Sequence, residues 1–131
     1  MRVDGKAIAA QITAQTAKEV SALTHTPRLT ICTCTPTEPT RRYLARKKAL
    51  AAELGIAVNL VEYDTHVTTF EFISSFAELQ QHTDGLLVQL PLPASIDTEE
   101  VVHAIPAAVD ADAMGYIAGR TTLLPPVVGA I

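Results

Sequence analysis

The 131-residue chain has few of the residues that mark disulfide-rich, metal-binding or membrane proteins. It contains two cysteines, Cys32 and Cys34, and four scattered histidines. Cysteines two apart in an apolar run share one face of a strand, which is a poor geometry for a mutual disulfide, and no histidine stands at a supporting ligand spacing. We therefore expect buried, reduced thiols and no metal site. The chain also lacks a run of membrane-spanning length and an apolar signal segment at its start, so we expect a cytoplasmic protein with no membrane partner.

Aromatic residues and positive charge are also scarce. The chain has three Phe, three Tyr and no Trp, yet hydrophobic residues make up 48%. This composition favours the aliphatic core of a layered α/β domain and excludes a disordered chain. The net charge of −4 disfavours a nucleic-acid partner. One local exception, which is either a solvated helix face or a surface for a small anionic ligand, comprises Arg41, Arg42, Arg46, Lys47 and Lys48.

Helical and strand-like segments alternate along the chain. The patterns predict helices over residues 4–23, 40–54, 68–81 and 96–104, and strands over residues 28–35, 57–63 and 86–90. This alternation predicts one three-layer α/β/α domain over residues 1–131, with a mainly parallel sheet of about four strands. In such a sheet, ligands bind beyond the carboxyl ends of the strands. Here those ends are the turns after Thr35 and Tyr63 and the loop over residues 89–93.

Two motifs carry candidate chemistry. Tyr43 and Lys47 are four residues apart on the second helix, so the ring and the amine lie on one helix face and can line the same cavity. The alternative is a surface lysine whose amine extends into solvent, which has the same spacing. The run G-L-L-V-Q-L-P-L-P over residues 85–93 places Gln89 at the end of an apolar strand. The prolines that follow stiffen the loop and allow a cis bond. A polar strand end before a structural turn is the plainer alternative.

The run over residues 85–93 resembles the signature of the bifunctional methylenetetrahydrofolate dehydrogenase/cyclohydrolase family. The opening helix, the Tyr-x3-Lys helix, Gly55 after it and the Ile96-Asp97 helix start follow in the family's order. Family members oxidise 5,10-methylenetetrahydrofolate with NAD(P)+ and hydrolyse the methenyl product to 10-formyltetrahydrofolate. The resemblance therefore implies a tetrahydrofolate substrate, a place in one-carbon metabolism and purine biosynthesis, and a homodimer.

The resemblance also assigns roles to individual residues. It implies that Lys47 is the catalytic lysine, that Tyr43 lies against the folate ring and that Gln89 orients the lysine. Leu90 and Pro91 are expected to line the substrate site. A neutral lysine amine can accept a proton from water, and we expect the neighbouring cations to lower its pKa and to attract the folate's glutamate carboxylates.

The fourth part of the implied site is an acidic residue. Asp112 matches the second aspartate of the family's K-D-V-D-G motif, whose carboxylate holds the pterin amino edge through two N–H bonds. The motif departs from the family at Val109 and Ala113, which stand where the family has lysine and glycine. If that glycine needs a positive φ, Ala113 must bend the loop differently.

Two further departures concern glycines. Thr35 replaces a family glycine before the second helix, while Thr40 stands in for a serine. The six glycines, at positions 5, 55, 85, 115, 119 and 129, contain no dinucleotide-binding spacing, so the NAD(P)-binding domain is expected to be absent from this chain. The chain is then an excised N-terminal domain or a natural protein without that part. The alternative to an enzyme is a non-catalytic α/β folate-binding or interaction module that kept the fold.

Overall fold

The computed structural model describes residues 3–126, in which strands and helices alternate as the sequence predicts. In chain order the elements are α1 Gly5–Ser21, β1 Arg28–Cys34, α2 Glu38–Leu54, β2 Ala57–Tyr63, α3 Thr69–Ser74, α4 Phe76–Leu79, β3 Gly85–Val88, α5 Thr98–Ala104 and a 3-10 turn Ala107–Val109. The predicted second strand has the same bounds in the structure, and the second helix begins two residues earlier than predicted.

Local chemistry explains where the two long helices begin and end. The Asp4 side chain accepts hydrogen bonds from the amides of Lys6 and Ala7, which opens α1. Thr37 opens α2 in the same way, by accepting from the amide of Thr40. Gly55 has a φ of 79°, so it supplies the left-handed residue that closes α2.

The sheet is parallel, with the strand order β2-β1-β3. The sequence predicted about four strands, and among residues 3–126 the sheet has three. The fourth position is reduced to a single bridge between Leu86 and Asp110. The Asp110 carboxylate accepts the amides of Met114 and Gly115, so the chain turns immediately and no ladder continues.

Two apolar clusters lie on opposite faces of the sheet, which confirms the three-layer α/β/α prediction. One face packs against α3, α4 and α5 through nine buried residues: Cys32, Cys34, Phe72, Phe76, Leu86, Val88, Ile96, Val101 and Ile105. The other packs against α2 through three: Ile31, Leu44 and Leu87. Alternation along β1 explains the division, because successive side chains of a strand point to opposite faces.

Three local predictions are wrong. The helix predicted over residues 68–81 is divided at Ser75, whose hydroxyl donates to the carbonyl of Phe72. The helical spacing of Phe70, Ile73 and Phe76 predicts one apolar stripe, but Phe70 is 78% exposed and Phe72 is buried instead. The spacing of Ile8, Ile12 and Val20 predicts an apolar stripe on α1, but α1 contains no buried residue and Ile12 is 59% exposed.

Candidate active site at the carboxyl edge of the sheet

Helix α2 brings Tyr43 and Lys47 to the edge of the sheet. Leu44 and Ala51 of α2 are buried, and Lys47 lies half-buried between them on the same side of the helix. Since α2 runs antiparallel to the strands and helical side chains tilt toward the helix N-terminus, Lys47 extends toward the carboxyl ends of the strands. Its Nζ atom lies 4.9 Å from the centre of the Tyr43 ring, within the range of a cation–π contact.

Strand β3 delivers Gln89 to the same place. β3 ends at Val88, earlier than predicted, but the amide of Gln89 still donates to the carbonyl of Cys32 at 2.8 Å. Its side-chain Oε1 accepts a hydrogen bond from Lys47 Nζ at 3.2 Å, and its Nε2 donates to the carbonyl of Leu90 at 2.9 Å. The Leu90–Pro91 bond is cis. The carboxamide thus links the amine on α2 to the proline loop.

Two cavities adjoin at this edge. The smaller, of about 210 Å³, lies between the turn after β1 and the proline loop, and its lining comprises Cys34, Thr35, Pro36, Thr37, Thr40, Pro91, Leu92 and Pro93. The second, of about 430 Å³, is lined by Thr35, Pro36, Arg41, Glu62, Tyr63 and Asp64. Thr35 and Pro36 are common to both, so they form the wall between them.

Within residues 3–126, two non-glycine residues have left-handed backbones. Thr35 has a φ of 40° and Ala113 a φ of 54°. Both stand where the sequence comparison expected glycine. The sequence predicts that Ala113 bends the loop differently if the glycine at this position needs a positive φ. Instead, Ala113 itself has a positive φ, a conformation that is strained for alanine.

The two aspartates of the Asp110–Asp112 motif have different environments. Asp110 is 3% exposed, and its carboxylate accepts from the amides of Met114 at 3.0 Å and Gly115 at 2.7 Å. Asp112 is half-buried and has no side-chain hydrogen bond within the described part of the chain. The sequence reasoning missed the structural role of Asp110. Gly115 suits this role, because in the folded turn a Cβ there would lie 3.2 Å from the Asp110 carboxylate, a constraint that the sequence alone does not reveal.

The cations of α2 are partly neutralised. Arg41 donates two hydrogen bonds to Glu62, at 2.7 and 3.1 Å, and this contact lowers the pKa of the Glu62 carboxyl. Arg42 donates to Glu38 at 3.1 Å. The positive charge around Lys47 is therefore smaller than the sequence suggests, because two of the four neighbouring cations have carboxylate partners.

The two cysteines lie under the site as free, buried thiols, as predicted. Burial raises the pKa of Cys32 to about 12, and it also raises the pKa of Cys34. The Cys34 thiol donates to the carbonyl of Asp64 at 3.3 Å. Over residues 3–126 there is no cluster of three or more potential metal ligands. Within the same range, no helix combines the length and hydropathy needed to cross a membrane.

Comparison with known proteins gives a consistent result. A family model described as tetrahydrofolate dehydrogenase/cyclohydrolase, catalytic domain, matches residues 3–112. The bifunctional protein FolD of Acidiphilium cryptum is 33% identical over 112 residues, which cover 84% of this chain and 40% of that protein. The cytoplasmic C-1-tetrahydrofolate synthase of Saccharomyces cerevisiae is 32% identical over 86% of this chain and 13% of its own length.

Solved structures show the same fold. A bifunctional 5,10-methylenetetrahydrofolate dehydrogenase/cyclohydrolase from Thermoplasma acidophilum superimposes with a TM-score of 0.81 at 24% identity, over 96% of this chain and 48% of its own. The Trypanosoma brucei enzyme, solved with NADP cofactor and inhibitor, gives a TM-score of 0.74 at 28% identity, over 86% of this chain and 40% of its own. The chain therefore spans less than half the length of these relatives.

Proposed function

The chain belongs to the tetrahydrofolate dehydrogenase/cyclohydrolase family, since the family model covers well over half of its residues, and from that premise we propose that it is a folate-binding catalytic domain with Lys47 as its catalytic lysine. The proposed reaction of this domain is hydrolysis of 5,10-methenyltetrahydrofolate. The observation that carries the proposal is the hydrogen bond between Lys47 Nζ and Gln89 Oε1, which joins two separate elements at the sheet edge.

The chemistry requires a base beside the methenyl carbon. The oxygen of a water molecule bonds to that carbon while one of its protons passes to the neutral amine of Lys47. As the new hydroxyl on that carbon gives up its remaining proton, the bond from the carbon to N5 breaks and N5 takes up a proton, which leaves the formyl group on N10. The proton taken up by Lys47 is the one released overall. Gln89 holds the amine in place through its Oε1 atom, so the lone pair of Lys47 is available to the water.

The other site residues bind and orient the folate. In the proposal, the Tyr43 ring, which is 53% exposed beside the amine, lies against the folate ring system. Leu90 and Pro91 form the opposing wall. Asp112, free of other side-chain bonds within residues 3–126, accepts two N–H bonds from the pterin amino edge.

Among residues 3–126, the turns that follow the strands do not fit a nicotinamide dinucleotide. A dinucleotide site needs a glycine-rich turn whose amides face the pyrophosphate at the start of a helix. After β1, α2 begins with Thr37 as its cap and Pro39 in its first turn, and β3 leads into the proline loop. In our proposal, the NAD(P)-dependent dehydrogenase reaction therefore requires a nucleotide-binding region other than residues 3–126.

The test is the hydrolysis of 5,10-methenyltetrahydrofolate, followed by the loss of its absorbance. We expect Lys47→Met to lower the rate at least about 100-fold, because a positioned general base contributes roughly that much. Lys18→Met is the matched control: it removes an exposed lysine from α1, outside the cation cluster of α2, and should leave the rate close to that of the unaltered protein.

The rival function is a non-catalytic folate-binding or interaction module. The side chains of Thr35 and Ala113 at expected glycine positions favour this alternative, because a ligand cannot approach the backbone there as closely. Equal hydrolysis rates for the unaltered protein and Lys47→Met would support it. A titration with tetrahydrofolate then separates a binding module from a domain that has lost its ligand.

The family resemblance extends the proposal to cellular context. We propose a homodimer that acts in one-carbon metabolism and purine biosynthesis in the cytoplasm. Light scattering of the purified chain tests the first of these, because a monomer at micromolar concentration would contradict a dimer formed through this domain alone.

A further inference from the structure

Thr33 carries a buried hydroxyl for which the fold has no evident use. The residue lies in β1 and is 1% exposed, and its Oγ1 atom has no hydrogen-bond partner among residues 3–126. A valine has nearly the same shape and would fill this position without burying a polar atom. Since buried hydroxyls are almost always hydrogen-bonded, an unpartnered one points to a role that the resting structure does not display.

The strand register places this hydroxyl beside the Lys47–Gln89 pair. Cys32 and Cys34 point into the cluster beneath α3 and α5, so Thr33 points to the opposite face, which α2 covers. Cys32 is paired with Val88, and the amide of Gln89 continues that ladder by donating to the Cys32 carbonyl. Thr33 and Gln89 are therefore neighbours on adjacent strands, about 4.8 Å apart along the hydrogen-bonding direction, and both face α2.

Gln89 has the capacity to accept one more hydrogen bond. Its Oε1 atom accepts from Lys47, and its Nε2 atom donates to the carbonyl of Leu90. A carboxamide oxygen has two lone pairs, so one acceptor position on Oε1 remains. Hydrogen bonds of catalytic groups often shorten only when the substrate is bound, so a pair that is out of reach in the free protein can form in the complex.

We propose that Thr33 is a positioning residue whose hydroxyl donates to Gln89 Oε1 in the folate-bound site; this inference rests on the proposed function of Lys47. With two donors on Oε1, the carboxamide is held with its oxygen toward the amine. Lys47 is then the donor in their contact, and its lone pair faces the water to be deprotonated. Without the hydroxyl, only the bond from Nε2 to the Leu90 carbonyl opposes a half-turn of the carboxamide, which would present the N–H₂ group to that lone pair.

The experiment compares three variants of the full chain. Thr33→Val removes the hydroxyl at constant shape, and Thr33→Ser restores it. Thr30→Val is the matched control, since Thr30 is a buried threonine of the same strand that points to the opposite face. We expect Thr33→Val to lower kcat for methenyltetrahydrofolate hydrolysis at least about tenfold with little change in KM, because misplacement of a base affects the chemical step. Thr33→Ser should recover most of the loss, and Thr30→Val should not reproduce it.

Stability and spectroscopy distinguish this role from a structural one. Because the hydroxyl is unpartnered in the free protein, Thr33→Val should melt at the same temperature as the unaltered protein or higher. The side-chain ¹⁵N–¹H resonances of Gln89, recorded with bound tetrahydrofolate, should shift in Thr33→Val and return in Thr33→Ser. A less stable Thr33→Val protein with unchanged kcat, or unchanged Gln89 resonances, would overturn the inference.

The hydrolysis rate of Lys47→Met tests the proposed function separately from the role of Thr33. If Lys47→Met hydrolyses the substrate as fast as the unaltered protein, the assignment of Lys47 is wrong. The Gln89 resonances still decide whether the Thr33 hydroxyl holds the carboxamide.

Discussion

Replacing Thr35 with glycine should make the protein more stable, which is unusual for a substitution that removes a whole side chain. Thr35 has a φ of 40°, and a β-branched residue in that region is strained by about 1–3 kcal/mol. Its side chain is exposed, so little apolar burial is lost, and its amide bond to the Tyr63 carbonyl is available to glycine as well. Glycine gains about 0.7 kcal/mol of additional freedom in the unfolded chain. The net expectation is a gain of about 1 kcal/mol.

Urea denaturation and thermal melting measure this gain. For a domain of this size, 1 kcal/mol corresponds to about 4 °C in Tm. Thr35→Ala is the necessary comparison, because alanine removes the same hydroxyl and β-branch but keeps the left-handed strain. We expect the order of stability to be glycine, then alanine, then threonine. If Thr35→Gly is no more stable than Thr35→Ala, the backbone at this position is not strained and the reasoning fails.

Three further predictions follow from the described contacts. Ala113→Gly should change stability by less than about 1 kcal/mol in urea denaturation, because relief of its φ is offset by loss of a buried methyl. Cys32 and Cys34 should react with a thiol reagent only after unfolding, since burial raises both pKa values; reaction in the native state would refute this. Hydrogen bonds from the Thr68 amide and hydroxyl lower the pKa of Glu71, so its contribution is present above about pH 4.3 and is lost as pH falls further. Glu71→Gln should therefore have urea midpoints that differ less between pH 7 and pH 3.5 than those of the unaltered protein.

Most of the fold was predictable from the sequence because the residues that begin and end its helices act through local contacts. Gly55 ends α2 and Asp4 opens α1 through contacts within a few residues, so no knowledge of the packed molecule is needed. The break at Ser75 is different. The Ser75 hydroxyl also forms a hydrogen bond with Tyr63 at the end of β2, a tertiary contact that helical periodicity cannot predict.

The burial and roles of individual side chains also depend partly on tertiary contacts that the sequence does not reveal. Phe70 and Phe72 are equally apolar, and only the position of α3 over the sheet decides that Phe72 is the buried one. At the candidate site, the juxtaposition of Lys47 and Gln89 was expected from the family resemblance rather than from spacing, because 42 residues separate them. The anchoring of a loop by Asp110 was not predicted, since it depends on two amides that only the folded turn brings together.

The two faces of the sheet differ greatly in how firmly they hold their helices. Three buried residues form the contact between α2 and the sheet, whereas nine fill the opposite face. The helix that carries the amine is thus attached through the smaller contact, and its partner Gln89 is fixed to the rigid strand. Small shifts of that helix alter the amine–carboxamide alignment long before the domain melts. Weakening the contact between α2 and the sheet, for example with Leu44→Ala, should therefore lower the hydrolysis rate of a protein that is still folded. A comparable truncation at Phe72, in the larger cluster, should instead reduce the amount of folded protein.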